Sequence, residues 1–204
     1  MHYHSISSSK NTKYVIIALH GWKGNLYSME IITKAFNIKN IKWLFLQGPY
    51  KINNKEFSWF KEDDVIGWQY SASFDSLKKM IFEVNKSGFP LNNIYILGFS
   101  QGACLAMEFI IRQQFSIGGI IPIAGFIGLK DKFKIDILNS NPNTPVLLIH
   151  GNSDNVVLVR ESKIAHNLFM NAGFDVTIHI LSGKHKIPLK AKELIKKFIY
   201  GNKN

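Results

Sequence analysis

The chain has 204 residues, 46% of them hydrophobic and 19% charged, the composition of a folded globular protein and not of a disordered one. A chain this long buries roughly 70% of the surface its unfolded form exposes, so it needs no disulfide or metal to hold a core. Cys104 is the single cysteine, which excludes an intramolecular disulfide and a multi-cysteine metal site.

The formal net charge of +11 comes from 25 Lys and Arg against 14 Asp and Glu, yet only Arg112 and Arg160 are arginine. The forked arginine side chain dominates recognition of phosphates and base edges, whereas lysine is a mobile point charge. The lysines are scattered or fall at helical spacing, as solvated helix faces do, so no nucleic-acid partner is expected. The N-terminus lacks the apolar stretch of a signal peptide and is expected to be mobile, with His2 and His4 in it. No apolar run approaches the ~20 residues of a membrane span, so integral membrane association is not expected. With a lone thiol, the expected compartment is the cytoplasm.

In chain order, apolar runs of strand length fall at Tyr14–Leu19, Ile41–Leu46, 94–97, Gly119–Ile123, 146–150 and 176–180. Several are apolar at nearly every position, which suits parallel strands covered on both faces. Helical patterns lie between them at 27–36, 73–86, 101–114, 161–172 and 189–200. Asn25 is the candidate cap for the first, Gly173 follows the fourth, and Pro188 opens the last. The alternation predicts a single domain over 1–204 with a mostly parallel, doubly wound α/β sheet and helices on both faces. Segment 48–71 has no clear periodicity and is rich in aromatics, among them Tyr50, Trp59, Phe60 and Trp68.

Gly98-Phe99-Ser100-Gln101-Gly102 fits G-x-S-x-G. About 0.09 such matches are expected by chance in a chain with 15 glycines, so its setting carries the weight. The motif joins an apolar strand pattern to a helical one, the strand–turn–helix context of a nucleophilic serine. Side chains at the two glycines would clash in so tight a turn, and the helix N-terminus beside the serine favours developing negative charge. A serine nucleophile needs a base, and the base needs an orienting carboxylate. Asp154 follows the strand at 146–150 and His185 follows the strand at 176–180, the ends where ligands gather in such sheets. No pair of the remaining histidines has metal-ligand spacing, and no metal is expected. Cys104, inside the helix after the motif, reads as a buried structural thiol.

These motifs, in the order Ser, Asp, His, resemble the α/β-hydrolase superfamily, and most closely its phospholipase/carboxylesterase group with the acyl-protein thioesterases. Leu19-His20-Gly21-Trp22-Lys23-Gly24 resembles that group's early "LHG" loop, and 98–103 its "GFSQGG/A" elbow. Pro122–Phe126 resembles "ALSGW", His150–Val157 resembles "HGxxDxVV", and Phe57-Ser58-Trp59-Phe60 resembles "xSWFD" near the substrate cleft. The chain departs at Lys184, where the group usually has glycine before the histidine.

The resemblance implies an α/β-hydrolase fold without a large lid, and a serine hydrolase of carboxylic esters or thioesters. Ser100 is then nucleophile, His185 general base and Asp154 its orienter, with the backbone N–H groups of Trp22 and Gln101 as oxyanion hole. Trp59, Phe60 and Trp68 are expected to line the substrate pocket, with Phe126 and Ile127 opposite; the alternative is that these aromatics pack the loop onto the sheet. His20 and His150 are expected to support loops by hydrogen bonds. The implied partner is a small-molecule ester or thioester, the assembly a monomer or homodimer, and no cofactor is required. Other readings are an amidase or peptidase on the same triad, a dienelactone-hydrolase-like enzyme, against which Ser100 argues because those carry cysteine, and a non-catalytic binding protein of this fold.

Overall fold

The structure is a computed structural model that describes residues 2–9, 11–63 and 67–201. Seven strands form the central sheet: β1 (Tyr3–Ser7), β2 (Tyr14–Leu19), β3 (Ile41–Leu46), β8 (Ile94–Phe99), β9 (Gly119–Ile123), β10 (Val146–Gly151) and β11 (Val176–Leu181). Between β3 and β8 the chain adds two small hairpins, β4 (Tyr50–Lys51) with β5 (Phe57–Ser58) and β6 (Lys61–Asp63) with β7 (Gly67–Gln69). The sheet order is β1-β3-β2-β8-β9-β10-β11, parallel throughout except that β1 runs antiparallel to β3.

The helices are α1 (Ile31–Phe36), α2 (Ser71–Lys86), α3 (Gln101–Ile110), α4 (Lys130–Ile137), α5 (Val159–Asn171) and α6 (Ala191–Gly201). β2 explains why its sequence is apolar at every position. Val15, Ile17 and Leu19 join one core with Leu77, Leu105, Phe109, Phe133 and Phe169 from α2 to α5. Ile16 and Ala18 join the other core with Ile32 and Phe36 of α1 and Ala191, Ile195 and Ile199 of α6. A strand alternates its side chains between faces, so helices on both sides require apolar residues on both.

The structure departs from the sequence expectation in several places. The N-terminal segment is strand β1, and the His4 ring lies 5.6 Å from Tyr27 and 6.2 Å from Phe45. Helix α4 was not anticipated, because its buried positions are only Phe133 and Ile137 among charged residues. Residues 27–30 are turn and not helix, since the Asn25 side chain accepts from the Tyr27 N–H at 2.9 Å and closes an Asx turn ahead of α1. Helix α3 stops at Ile110, short of the predicted 114. Pro188 precedes α6 and does not open it; its carbonyl accepts from the Ala191 N–H at 3.0 Å. The aromatic segment 48–71 folds in part as the two hairpins, with 64–66 outside the described residues. Among the described residues, no helix is long and apolar enough to cross a membrane.

Phe169 is fully buried and its ring lies 5.7 Å from Phe133 and 4.9 Å from Phe174, tying α5 to α4 and to the chain entering β11. Phe169→Ala is expected to lower stability by about 3–5 kcal/mol through lost burial and the cavity left behind. Urea denaturation followed by circular dichroism checks this; a loss below about 1 kcal/mol contradicts the assigned packing.

Candidate active site

Ser100 is the one residue between β8 and α3, and it caps the helix at φ 52°, ψ −112°. A side chain other than glycine rarely adopts this backbone region, and holding it there costs about 1–3 kcal/mol. The neighbours enforce it. A Cβ on Gly98 would collide with the Gly102 carbonyl, and a Cβ on Gly102 would collide with the carbonyls of Leu19 and His20. The elbow can therefore press against the end of β2 only with glycine at both positions. The Ser100 N–H donates to the Ile123 carbonyl at 2.9 Å, which ties the turn to β9.

The other two triad candidates arrive from the next strand ends. The His185 Nδ1–H donates to Asp154 Oδ2 at 2.7 Å, and the Ser100 hydroxyl donates to His185 Nε2 at 3.0 Å. The Asp154 side chain is buried, and its Oδ1 accepts from the Val156 and Val157 N–H groups, each at 2.9 Å. Burial opposes its ionisation, but the hydrogen bonds from His185, Val157 and Val156 outweigh this and hold the carboxyl below its ordinary value. His150 is buried beside Asp154, with Nε2 3.4 Å from Oδ2. Its Nε2–H donates to the Val157 carbonyl at 2.8 Å, and its Nδ1 lies 2.6 Å from Ser162 Oγ.

Trp22 and Gln101 sit around the serine. Gln101 is the first residue of α3, where helical N–H groups have no partner within the helix. Trp22 lies in the loop after β2, inside a turn closed by the Gly24 N–H donating to the Gly21 carbonyl at 3.0 Å. Neither Trp22 nor Gln101 makes a backbone–backbone hydrogen bond through its N–H among the described residues. The Gln101 side chain braces the adjacent hairpin: its Nε2 donates to Ser58 Oγ at 2.9 Å and its Oε1 accepts from the Trp59 N–H at 3.1 Å.

A cleft of about 540 Å³ opens over Ser100, lined by Trp22, Gln101, Phe60, Trp68, Phe126, Tyr50, Ile52, Val156 and Val157, with Lys51, Ser58, Lys61 and Glu62 completing the lining. Phe60 stacks on Trp68 at 5.1 Å, and Trp68 meets Phe126 edge-on at 5.9 Å. Two residues expected in this lining are elsewhere. Trp59 is fully buried, its indole N–H donating to the His20 carbonyl at 2.8 Å, so it packs the hairpin against the loop before Trp22. Ile127 is buried too, and faces an adjoining depression with Leu158 and Arg160. Tyr50 was noted only as one aromatic of segment 48–71, and Ile52, Val156 and Val157 were not singled out; the "HGxxDxVV" string contains the two valines, but nothing in the sequence marks Tyr50 or Ile52 as lining. Ser58, which accepts from Gln101, stands inside the string that resembles "xSWFD", whereas Ser162, which bonds His150, carries no sequence signal.

Cys104 is buried in α3, and burial followed by the Glu108 charge pushes its thiol well above the ordinary value, which leaves it inert. Glu108 is buried as well, its carboxyl raised by desolvation against the pull of Arg112, whose Nη1 lies 2.7 Å from Oε2. Among the described residues, no cluster of three or more His, Cys, Asp or Glu is arranged to hold a metal ion.

The family model described as Phospholipase/Carboxylesterase matches residues 2–203. Acyl-protein thioesterase 1 of Candida albicans is 33% identical over 192 residues, covering 82% of both chains. Acyl-protein thioesterase 1 of Yarrowia lipolytica is 26% identical over 172 residues, covering 76% of both. The crystal structure of a carboxylesterase from Mesorhizobium loti superposes with a TM-score of 0.80 over 98% of this chain and 94% of that one; at 16% identity this speaks for the fold alone.

His20 supports the loop that carries Trp22. Its Nδ1–H donates to the Gly21 carbonyl at 2.7 Å, and its Nε2 accepts from the Gly48 N–H at 3.0 Å, so the ring must be neutral. Burial lowers its pKa from 6.5 to about 4, against the raising effect of the Gly21 bond. As pH falls the unfolded chain takes up this proton first, so His20 contributes stability that is full above pH 6.5 and is lost on the way down to about pH 4. The shift corresponds to roughly 3 kcal/mol. Urea midpoints are expected to fall more steeply between pH 7 and about pH 4.5 in the wild type than in His20→Gln; equal slopes would assign the loss to other groups.

Proposed function

The chain belongs to the phospholipase/carboxylesterase family, and from that premise we propose that it hydrolyses carboxylic esters or thioesters through an acyl-enzyme on Ser100. The observation that carries this reading is the unbroken hydrogen-bonded chain Ser100–His185–Asp154, with distances of 3.0 and 2.7 Å, opening onto an aromatic-lined cleft. In this mechanism Ser100 Oγ attacks the substrate carbonyl carbon while His185 Nε2 takes its proton. Asp154 holds the imidazole in the tautomer with Nε2 free to accept, and stabilises the imidazolium as it forms.

The carbonyl oxygen gains negative charge in the tetrahedral intermediate. The N–H groups of Trp22 and Gln101 are its donors, aided by the positive end of α3. Each such donor lowers the barrier by about 3 kcal/mol. The imidazolium then gives its proton to the leaving oxygen or sulfur as the carbon–heteroatom bond breaks. A water, activated by the same histidine, releases the acid by the reverse course and restores Ser100.

Phe60, Trp68, Phe126, Ile52 and the valines at 156 and 157 give the cleft its apolar wall, which suits the hydrocarbon part of an acyl group. Bonding of Asp154 to two backbone N–H groups as well as His185 supports its role as orienter, because the carboxylate is held in place and stays ionised. The whole chain acts as one catalytic domain on this reading, and its buried lone thiol fits a cytoplasmic enzyme.

Nitrophenyl esters and acyl-thioesters test the proposal. Ser100→Ala is expected to lower kcat by on the order of 10⁴–10⁶. Asp154→Asn is expected to cost about 10⁴ in kcat with little change in KM, because asparagine favours the wrong imidazole tautomer. Full activity in Ser100→Ala, or cleavage of peptide amides without cleavage of esters, contradicts the assignment.

A further inference from the structure

Two clefts meet at the triad. One holds Ser100 and Gln101. The other, of about 500 Å³, lies across His185 and Trp22 and is lined by neither Ser100 nor Gln101; Trp22 lines both clefts. Its floor is apolar, formed by Ile32, Phe36, Phe99 and Ile187, with Phe99 packed 4.9 Å from the His185 ring. Ile31 and Leu189 also line it, 74% and 71% exposed, and extend its apolar surface to solvent. Among the described residues, the cationic side chains lining it are Lys23 and Lys186, and no carboxylate lines it. The Lys23 ammonium lies 4.7 Å from the centre of the Trp22 ring, and Lys186 follows the base directly.

The chemistry distinguishes the two clefts. When the tetrahedral intermediate collapses, the bond between the carbonyl carbon and the leaving heteroatom breaks, and that atom takes its proton from His185 Nε2. The leaving group must therefore lie on the histidine side, while the acyl chain extends past Ser100 and Gln101. We propose that the groove across His185 binds the leaving group of the substrate, and that this group is a small thiol or alcohol with an apolar body and an anionic end. The inference rests on Ser100 being the nucleophile. The apolar floor takes the body, and Lys23 and Lys186 take the anion. Local placement of these two cations, and not the net charge of the chain, then sets which leaving groups are preferred.

Octanoyl thioesters of mercaptohexanoate and mercaptohexanamide test this, since the two thiols match in length and acyl chain and differ in charge far from sulfur. The wild type is expected to show a higher kcat/KM for the carboxylate by about fivefold at low salt, shrinking as salt screens the lysines. Lys23→Glu combined with Lys186→Glu is expected to invert that ratio. Leu189→Glu, four residues from the base, is expected to reduce it if the double variant does not fold. Trp68→Ala is expected to alter acyl-length preference and leave the ratio alone. A wild-type ratio near one, or a ratio that the charge reversals do not move, overturns the leaving-group site. Cleavage of either thioester by Ser100→Ala at the wild-type rate instead overturns the nucleophile on which it rests.

Discussion

Much of the molecule's geometry follows from one close approach of backbone to backbone. At Gly102 the first turn of α3 lies against the carbonyls of Leu19 and His20, with no room for a Cβ. That contact brings the end of β2 against the elbow after β8, two segments separated by some 80 residues of chain and by two hairpins. It forces Ser100 into a backbone conformation that a non-glycine residue seldom adopts. The strain is tolerated because β8 lies at the centre of a sheet buried on both faces and the Ser100 N–H is held by Ile123. The same contact places the loop with Trp22 beside the helix N-terminus, so both proposed oxyanion donors have positions set by packing.

The polar groups around this elbow are held in layers. Asp154 is fixed by two backbone N–H groups before it meets His185, and His150 occupies its other side. His20 joins the Gly21 and Gly48 backbone, and Trp59 presses on that loop from beneath while bonding to its carbonyl. Gln101 links the elbow to the hairpin through Ser58 and the Trp59 N–H. These bonds cross between segments distant in sequence, so an error in any one loop would be felt at the serine. Such support is what keeps a catalytic arrangement within the fraction of an ångström that acyl transfer requires.

The strands that build the sheet centre were legible because burial on both faces demands a continuous apolar run, and β2, β8, β9 and most of β10 carry one. The glycine spacing around Ser100 was legible for a related reason: a backbone contact that excludes Cβ leaves its mark in the residue type. β1 was not legible, because an edge strand with alternating polar residues resembles a loose terminus until its pairing with β3 is known. Trp59 illustrates a second limit. An aromatic in a long loop suits a pocket wall and a packing wedge equally, and only the bond from its indole to His20 decides for packing. Ile127 fails in the same way, one residue beyond Phe126, which does reach the cleft. Ser162 was invisible, and Ser58 showed only as part of a family-like string, because their partners lie on other segments and serine in a sequence says nothing about what its hydroxyl meets.

Every proposed step depends on Ser100 being an activated nucleophile. Intact-protein mass spectrometry after treatment with a fluorophosphonate, followed by peptide mapping, measures this most directly. A single adduct is expected on the peptide containing Ser100 in the folded wild type, and none in His185→Ala on the same timescale. An unlabelled wild type, or an adduct on a serine other than Ser100, would contradict it.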